Sequence, residues 1–431
     1  MSIDTTAVQA EQQPEGEARL QPIRWKFPIT YAVLALLALG VFAAFSPAGT
    51  QTQFRLATAA DFFTIPLVNV PAAPTAWVLG IALAALAGLA IHFAVRRRRL
   101  GVWHPILFGV LFVLAFLVWA GAGRDAVIPL VTVLTGTLAL SVPLIFGAMC
   151  GLVGERSGII NIAIEGQLLA GAFLAAVAAS FFTSAYVGLL AAPFAGAAVG
   201  ALLVLFSVKY HVNQIIVGVV LNVLVIGVTS FLYSTVLTQN AELWNARQQL
   251  PRLPIPGLSQ IPIIGPVLFN QTILVYLMYA LVILLQIFVF KSRWGLRMRS
   301  VGEHPKAADT VGVNVNRTRA VNTIFAGCIA GLGGAFFTVG QGLAFGAEMS
   351  AGQGFIALAA MILGRWNPVG ALCAALLFGF STSIGNVLST IGTPVPSEML
   401  LMLPYIITIF AVAGFVGRVR PPAAEGVPYI K

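Results

Sequence analysis

The stretch KSRWGLRMRSVGEHPKAADTVGVNVNRTR, residues 291–319, determines how the rest of the chain is arranged. It lies between two long apolar segments and carries seven Lys or Arg residues against two acids, Glu303 and Asp309. Short loops rich in Lys and Arg stay on the cytoplasmic side of a membrane. This basic loop therefore predicts the orientation of the segments on either side of it.

Part of the basic loop has the pattern of a short surface helix. Pro305 suits the first position of a helix, the KAAD sequence after it favours helix, and Gly312 is a typical stop. A short helix held out from a membrane on its cytoplasmic face is a suitable binding site for a soluble partner. The loop is thus predicted to do more than connect two spans.

Composition places the chain in a membrane. Its 431 residues are 59% hydrophobic and 9% charged, whereas soluble domains carry about a quarter charged residues. The net charge of +10 could indicate a nucleic-acid partner, but the basic residues lie mostly at the ends of apolar runs. The sequence therefore predicts an all-α polytopic integral membrane protein that binds lipid and no nucleic acid.

Apolar runs of about 20 residues mark helices that can cross the ~30 Å hydrocarbon core. The pattern predicts ten to twelve transmembrane or half-membrane helices, provided that one run is split at Gly364–Pro368. This split keeps Arg418 and Arg420 on the side of the basic loop, so both termini are expected in the cytoplasm and the protein in the plasma or inner membrane. The predicted runs are 28–45, 77–95, 103–122, 126–152, 159–182, 186–208, 212–237, 272–290, 320–340, 355–364, 368–390 and 399–416.

The same pattern divides the chain into four regions. Residues 1–27 are polar and are expected to form a disordered cytoplasmic tail. Residues 28–125 hold three of the apolar runs and look like an N-terminal extension, because the denser functional features begin only after them. Residues 126–417 form the predicted core, which includes the basic loop, and residues 418–431 form a cytoplasmic C-terminal tail.

Two stretches interrupt the apolar helices with glycines and charges. They are GLVGERSGIINIAIEG at 151–166 and GQGLAFGAEMSAGQG at 340–354. By the count of spans, the helix after the first stretch ascends and the helix after the second descends. An inverted repeat has this arrangement, and the ends of its interrupted helices line a substrate path. The alternative is that both stretches are ordinary loops at the membrane surface.

Six residues near these stretches are candidates for a solute path. A carboxylate within an apolar helix is costly unless it has a partner or a role. Glu165 is therefore either a contact in the path or, as we favour, a structural carboxylate bonded to Arg156 or to backbone. The six candidates are Asn161, Glu165, Asn222, Phe345, Glu348 and Phe355.

The other candidates also allow plainer interpretations. Asn222 could contact solute or join two helices by hydrogen bonds, and Glu348 could be an exposed loop acid. Phe345 and Phe355 could stack on a ring-shaped solute, although a chain with 29 Phe residues gives that signal little weight. Three G-x-x-x-G pairs are predicted to allow close helix packing: Gly147 with Gly151, Gly196 with Gly200, and Gly327 with Gly331.

The sequence offers no motif for catalysis, metal binding or a cofactor. It contains no G-x-x-x-x-G-K-[ST], so the chain does not bind ATP through a P-loop. The four His residues are scattered, no HExxH is present, and the three Cys residues lie inside apolar segments. We therefore expect a protein that is not an enzyme.

Five segments of the chain resemble a known family. They are GERSGIINIAIEG, HVNQIIVGVVLNVL, LPIPGLSQIPIIGP, GLRMRSVGEHPKAADTVGVNV and GFIALAAMILGRWNP. They are similar to permeases of the branched-chain amino acid/ribose-type ABC importers, and most of all to nucleoside (simple sugar) permease subunits. The resemblance covers roughly residues 126–417 and implies a permease core. It also implies a cytoplasmic ABC ATPase subunit, a second and different permease subunit, and an extracytoplasmic substrate-binding lipoprotein.

The resemblance gives the basic loop a function. The family's G-x-[NH]-P-x-A-A motif falls on Gly302, His304, Pro305, Ala307 and Ala308, and Gly312 follows it. In relatives this region contacts the ATPase. The implied coupling residues are Gly302, Glu303, His304, Pro305, Lys306, Ala307, Ala308, Asp309 and Gly312.

The resemblance specifies the architecture and leaves several hypotheses for the solute and the driving force. The leading hypothesis is a permease for nucleosides. The alternatives are a permease of the same architecture for ribose-like sugars, and a secondary transporter driven by an ion gradient, for which Glu165 is the one candidate in a proton relay. A membrane scaffold that transports nothing is a further alternative.

Overall fold

The computed structural model describes residues 25–58, 61–63, 65–98, 100–101, 103–124, 127–393, 395–402, 405 and 420–430. Helices dominate the described residues. They are α1 Lys26–Leu37, α2 Ala72–Val95, α3 Trp103–Ala120, α4 Leu130–Arg156, α5 Ile164–Phe181, α6 Ala185–Val204, α7 Gln214–Leu232, α8 Ala241–Trp244, α9 Ile273–Lys291, α10 Arg293–Glu303, α11 Pro305–Thr310, α12 Val315–Ala335, α13 Gln353–Leu363, α14 Pro368–Ile391 and α15 Ser397–Leu401.

Ten of these helices are long and apolar enough to cross a membrane, as counted within the described residues. They are α1 to α7, α9, α12 and α14, and α13 is a shorter apolar helix. Four of the ten continue into a π-helical turn: α1 into Ala38–Ala43, α6 into Leu205–Lys209, α7 into Tyr233–Leu237 and α12 into Phe336–Gly340. The prediction of an all-α polytopic membrane protein is confirmed.

Short strands occur between the helices. They are β1 Gln51–Arg55, β2 Val68–Pro71, β3 Ile128–Pro129, β4 Arg252–Pro254 and β5 Asn270–Thr272. One sheet has the order β2-β1-β3, and β1 runs parallel to β3 with Phe54 opposite Ile128. The other is an antiparallel pair, β4 with β5, which closes the Pro-rich segment before α9. That segment also includes a 3-10 turn at Leu258–Gln260 and a π-helical turn at Gly265–Phe269.

The described residues form two compact units. The first takes the described residues up to Thr52 together with Val70–Gly123, and Tyr31, Phe42, Leu83 and Phe108 are in its core. The second takes Gln53–Asn69 and the described residues from Arg124 onward, and its core is larger. A role for residues 28–125 as an extension stays a prediction.

Glycines allow the helices of the second unit to pack closely. A Cβ added to Gly196 on α6 would lie 2.1 Å from the Gly327 carbonyl oxygen on α12. A Cβ on Gly331 would lie 2.3 Å from the carbonyl oxygen of Ala192. Only glycine fits backbones that approach this closely. The packing role predicted for these two G-x-x-x-G pairs is confirmed.

The first interruption is shorter than predicted. Helix α4 continues to Arg156, residues 157–163 are not helical, and α5 begins at Ile164. Gly147 and Gly151 lie within helix α4, and they allow a close helix contact instead of breaking the helix. A Cβ on Gly147 would lie 2.7 Å from the Cβ of Ala357 on α13. The glycines thus mark a helix contact, and the interruption follows them.

The short helix of the basic loop is confirmed. It begins at Pro305 and ends at Thr310, and Gly312 follows it with a φ of +85°, the conformation expected of a glycine that stops a helix. Most of the predicted run 399–416 lies outside the described residues, as does the predicted tail up to residue 24. Helix α13 corresponds to the predicted short piece at 355–364, but it begins two residues earlier and ends one residue earlier.

Candidate functional site

The Glu165 carboxylate joins the two interruptions. It lies buried in the first turn of α5 and accepts a hydrogen bond from the Ser350 hydroxyl at 2.6 Å. It also accepts from the backbone N–H groups of Gly352 at 2.8 Å and Gly354 at 2.6 Å. These amides begin α13, where the unpaired N–H groups and the helix dipole favour a negative charge. Segments 185 to 189 residues apart therefore meet at one side chain.

This geometry is that of a structural carboxylate bonded to backbone. Three donors offset the cost of removing the Glu165 charge from water. Arg156 is not the partner, because its guanidinium donates to the Trp366 carbonyl oxygen at 2.9 and 3.2 Å. A Cβ on Gly354 would lie 2.5 Å from the Glu165 nitrogen, so close contact of the two segments needs glycine there.

Asn222 holds the first interruption to α7. Its Nδ2 donates to the Ile162 carbonyl oxygen at 2.9 Å, and its Oδ1 accepts from the Gly166 N–H at 2.8 Å. Gln214, in the first turn of α7, accepts from the Ile160 N–H at 2.7 Å. The first residue thus forms interhelical hydrogen bonds, one of the two roles considered from the sequence. Gln214 is buried as well and ties the same interruption to the start of α7.

Asn161 belongs to a buried polar cluster inside the first interruption. Its Nδ2 donates to Gln167 Oε1 at 3.0 Å and to Cys150 Sγ at 3.2 Å. Asn161 Oδ1 and Gln167 Nε2 are buried and have no partner within the described part of the chain. Sequence reasoning selected Asn161 and missed the other two residues, since a lone Gln or Cys in an apolar helix carries no signal of its own.

Phe345, Glu348 and Phe355, the candidates in or next to the second interruption, differ in how exposed their side chains are. The Phe345 ring is 1% exposed and packs edge-on against Phe173 and Tyr233, at centroid distances of 5.2 and 6.1 Å. Glu348 is exposed on a backbone with φ of +53°, and the Phe355 ring is 51% exposed. Of the two aromatic candidates, only Phe355 presents its ring for stacking.

Helices α10 and α11 form a charged surface, which we call the α10–α11 surface. Sequence reasoning predicted α11 alone. The signal for α10 was present, because its buried residues Gly295, Met298 and Gly302 recur at spacings of three and four. The exposed residues of the surface are Arg293, Leu296, Arg297, Glu303, His304, Lys306, Ala307, Thr310 and Val311.

Gly302 brings this surface against the first interruption. A Cβ on Gly302 would lie 2.3 Å from the Arg156 carbonyl oxygen and 3.4 Å from the Gly158 nitrogen. Ala308 is also buried, in a small cluster with Val301 and Val315. The predicted coupling residues therefore divide into inward packing residues and an exposed, charged set.

Comparison with known proteins gives the following matches. A family model described as branched-chain amino acid transport system / permease component matches residues 132–412. The guanosine ABC transporter permease protein NupQ of Bacillus subtilis is 38% identical over 71% of this chain and 99% of its own length. The nucleoside ABC transporter permease protein NupC of Lactococcus lactis is 39% identical over 69% and 96%. The putative glucose ABC transporter permease protein TsgC13 of Haloferax volcanii is 30% identical over 57% and 74%, and no solved structure matches.

Proposed function

The chain belongs to the family of branched-chain amino acid transport permease components, and from this we propose that it is the permease subunit of an ATP-driven importer for nucleosides. Two relatives, named as permeases for guanosine and for nucleosides, match it over nearly their whole lengths. The family is one of transport subunits, so this chain would form the membrane path. Hydrolysis of ATP would take place on a separate subunit.

One observation carries the coupling role. The α10–α11 surface is exposed and charged on one side, while Gly302 on its other side touches the backbone at Arg156. We infer that the exposed side binds a cytoplasmic ABC ATPase, and that closure of the ATPase pushes α10 against the end of α4. The push would reach the first interruption directly, because Gly158 lies at the same contact.

The Glu165 contact supports a path for that movement. Displacement of the first interruption would move Glu165, and its three hydrogen bonds would carry the displacement to α13. Asn161 and Asn222 would then keep the interruption in shape, and Phe355 and Glu348 are the candidates for contact with solute. In this proposal each interruption borders the solute path.

The complete importer would need further subunits. We infer a second, different permease beside this chain and an extracytoplasmic lipoprotein that delivers the solute. The basic loop at 291–319 and both termini would face the cytoplasm, since seven Lys or Arg residues crowd this one loop. The membrane would be the plasma or inner membrane.

A sugar is the second candidate for the solute. The relative from Haloferax volcanii is named as a putative glucose permease, which supports ribose-like and other simple sugars as the alternative solutes. An ion-driven carrier is less well supported, because Glu165 is held by three donors in a structural contact. A proton carried by the Glu165 carboxyl would have to compete with the hydrogen bonds from Ser350, Gly352 and Gly354.

Uptake by the assembled importer in proteoliposomes tests the function. We expect ATP-dependent accumulation of a labelled nucleoside such as guanosine, unaffected by a proton uncoupler and by excess ribose or glucose. Inhibition by free sugar would move the assignment to the sugar class. Uptake that survives without ATP and collapses with the proton gradient would contradict an ATP-driven importer.

A further inference from the structure

The C-terminal residues Pro421–Ile430, which we call the C-terminal strap, bind both partners of the Gly302 contact. The Ala424 N–H donates to the Gly302 carbonyl oxygen on α10 at 2.8 Å. The Gly426 N–H donates to the Gly158 carbonyl oxygen of the first interruption at 3.3 Å. The strap therefore spans the junction between the α10–α11 surface and the first interruption.

A buried guanidinium fixes the middle of the strap. Arg319 on α12 is 2% exposed, and it donates to the carbonyl oxygens of Val427 at 2.8 Å and Ala424 at 3.3 Å. A buried charge is strongly destabilising when it loses its hydrogen-bond partners. Gly158 makes room for this contact, because a Cβ there would lie 2.8 Å from Arg319 Nη2. Release of the strap would therefore leave the buried Arg319 guanidinium without the two carbonyl oxygens that accept its hydrogen bonds.

The far end of the strap is anchored on the helices of the basic loop. The Tyr429 side chain is buried in a cluster with Val301, Ala308 and Val315, which come from α10, α11 and the start of α12. Its hydroxyl lies beside the Asp309 carboxylate, and burial together with that charge raises the pKa of Tyr429. A movement of α10 and α11 would therefore carry Tyr429 with it.

We propose that the C-terminal strap is a positioning element that makes the first interruption follow the α10–α11 surface in both directions of the transport cycle. The contact of Gly302 with the Arg156 carbonyl is steric, so it resists approach of the two segments and gives no resistance to separation. Hydrogen bonds from the strap resist separation, because Ala424 and Gly426 hold one segment each. The proposal rests on the proposed function, in which this surface is moved by an ATPase.

Loss of the strap then has a specific consequence for coupling. The ATPase could still push the first interruption, but withdrawal of the surface would no longer return it. ATP would be hydrolysed with little solute moved, so uptake per ATP hydrolysed would fall. A strap that only stabilised the fold would lower uptake and hydrolysis together and leave their ratio unchanged.

Two adjacent residues provide a matched test in the assembled importer with its ATPase and binding protein. Tyr429→Ala removes the buried anchor, whereas Ile430→Ala changes a side chain that is 72% exposed. We expect Tyr429→Ala to lower nucleoside uptake per ATP hydrolysed roughly five- to tenfold. Ile430→Ala should keep the wild-type ratio.

A second pair of variants avoids the loss of a core side chain. Gly426 has a φ of +75°, and a Cβ there would lie 2.7 Å from Ile160 Cδ1 of the first interruption, so Gly426→Ala should strain the strap where it meets that segment. Gly257→Ala imposes the same strain, at φ of +81°, where nothing lies within 4 Å. Only Gly426→Ala should lower the nucleoside uptake per ATP hydrolysed.

The outcomes separate the strap from the proposed function. If the wild-type importer couples uptake to ATP and both strap variants keep the wild-type ratio, or lose uptake and hydrolysis in proportion, the strap is not a positioning element. If the wild-type importer takes up no nucleoside or sugar with ATP, the proposed function fails, and the role of the strap fails with it.

Discussion

Glu165 shows how one side chain can hold two distant segments in register. The carboxylate fills the N-terminal end of α13 from the first turn of α5, so the start of one helix fixes the start of the other. Such a contact depends on both oxygens acting as acceptors, and on a charge that the amides stabilise. A side chain of similar shape that lacks the charge cannot replace it fully.

We predict that Glu165→Gln uncouples the two interruptions. Its amide nitrogen would face a donor, either the Ser350 hydroxyl and Gly352 amide or the Gly354 amide, so at least one hydrogen bond is lost at a cost of about 2 kcal/mol. Thermal unfolding in detergent measures the loss, and uptake should fall at least about tenfold if the contact transmits movement. Glu242→Gln, at an exposed residue of α8, is the control; equal effects of both changes would contradict the prediction.

We predict that Gly302→Ala abolishes uptake while the protein still folds. The added methyl would lie 2.3 Å from the Arg156 carbonyl oxygen, so α10 must move away from the end of α4. Gly227→Ala adds the same methyl on α7, where nothing lies within 4 Å. Uptake is compared at equal amounts of purified protein, and wild-type uptake by Gly302→Ala would show that the close contact is not needed.

At the scale of elements, α10 and α11 combine an inward packing face with an outward charged face. Only His304 lies between the end of α10 at Glu303 and the start of α11 at Pro305, so the two short helices present both faces together. Six residues of α11 would not be stable as a helix alone, because isolated helices this short are marginal in water. Its burial at Ala308 against α10 and α12 holds it in place.

We predict that the outward face of α10 sets the affinity for the ATPase. Arg297→Glu reverses an exposed charge without touching the packed face, and co-purification of the ATPase should weaken about tenfold or more. Arg252→Glu, on exposed strand β4, is the matched charge reversal and should have no effect. Binding that responds equally to both changes would indicate a general effect of net charge.

At the scale of the whole molecule, the C-terminal strap adds a dependence on pH. Glu425 of the strap lies against Glu155 of α4, and burial raises the pKa of the Glu425 carboxyl above its ordinary value of 4.5. The docked strap therefore holds this proton more tightly than the released strap does. Docking is strongest at pH values below 4.5 and weakens as the pH rises towards the raised pKa.

We predict that Glu425→Gln weakens this dependence, with Glu155 left as the one titrating carboxyl of the pair, and stabilises the docked strap at neutral pH, because a neutral amide has no charge to bury beside Glu155. Hydrogen–deuterium exchange of residues 422–429, corrected for the intrinsic effect of pH on exchange, measures docking. Arg156, Arg299, Glu303 and Arg319 are the other charged residues of this region and are unchanged in the variant. A wild-type strap whose protection is the same from pH 5 to pH 8 would contradict the prediction.

The local sequence pattern predicted the membrane-spanning helices. It did not predict the hydrogen bonds between residues that are far apart in the sequence. Hydrophobic length marks a span wherever it occurs, so ten helices and the short α13 were predictable. The short helix at Pro305 was also predictable, since its start and stop signals are local. The bonds of Glu165 to Gly354 and of Arg319 to Val427 join residues more than 100 positions apart, and no local pattern reports such pairs.

The assignment of Gln53–Asn69 to the second unit affects how this protein can be shortened. Phe54 pairs with Ile128 in a parallel strand pair, and the Phe62 N–H donates to the Gln260 carbonyl oxygen at 2.9 Å. The chain therefore passes between the two units three times. A single cut near residue 125 that keeps only the second unit would remove strand β1 from it. A minimal transporter would have to retain residues 53–69 as a separately supplied peptide or as a rejoined loop.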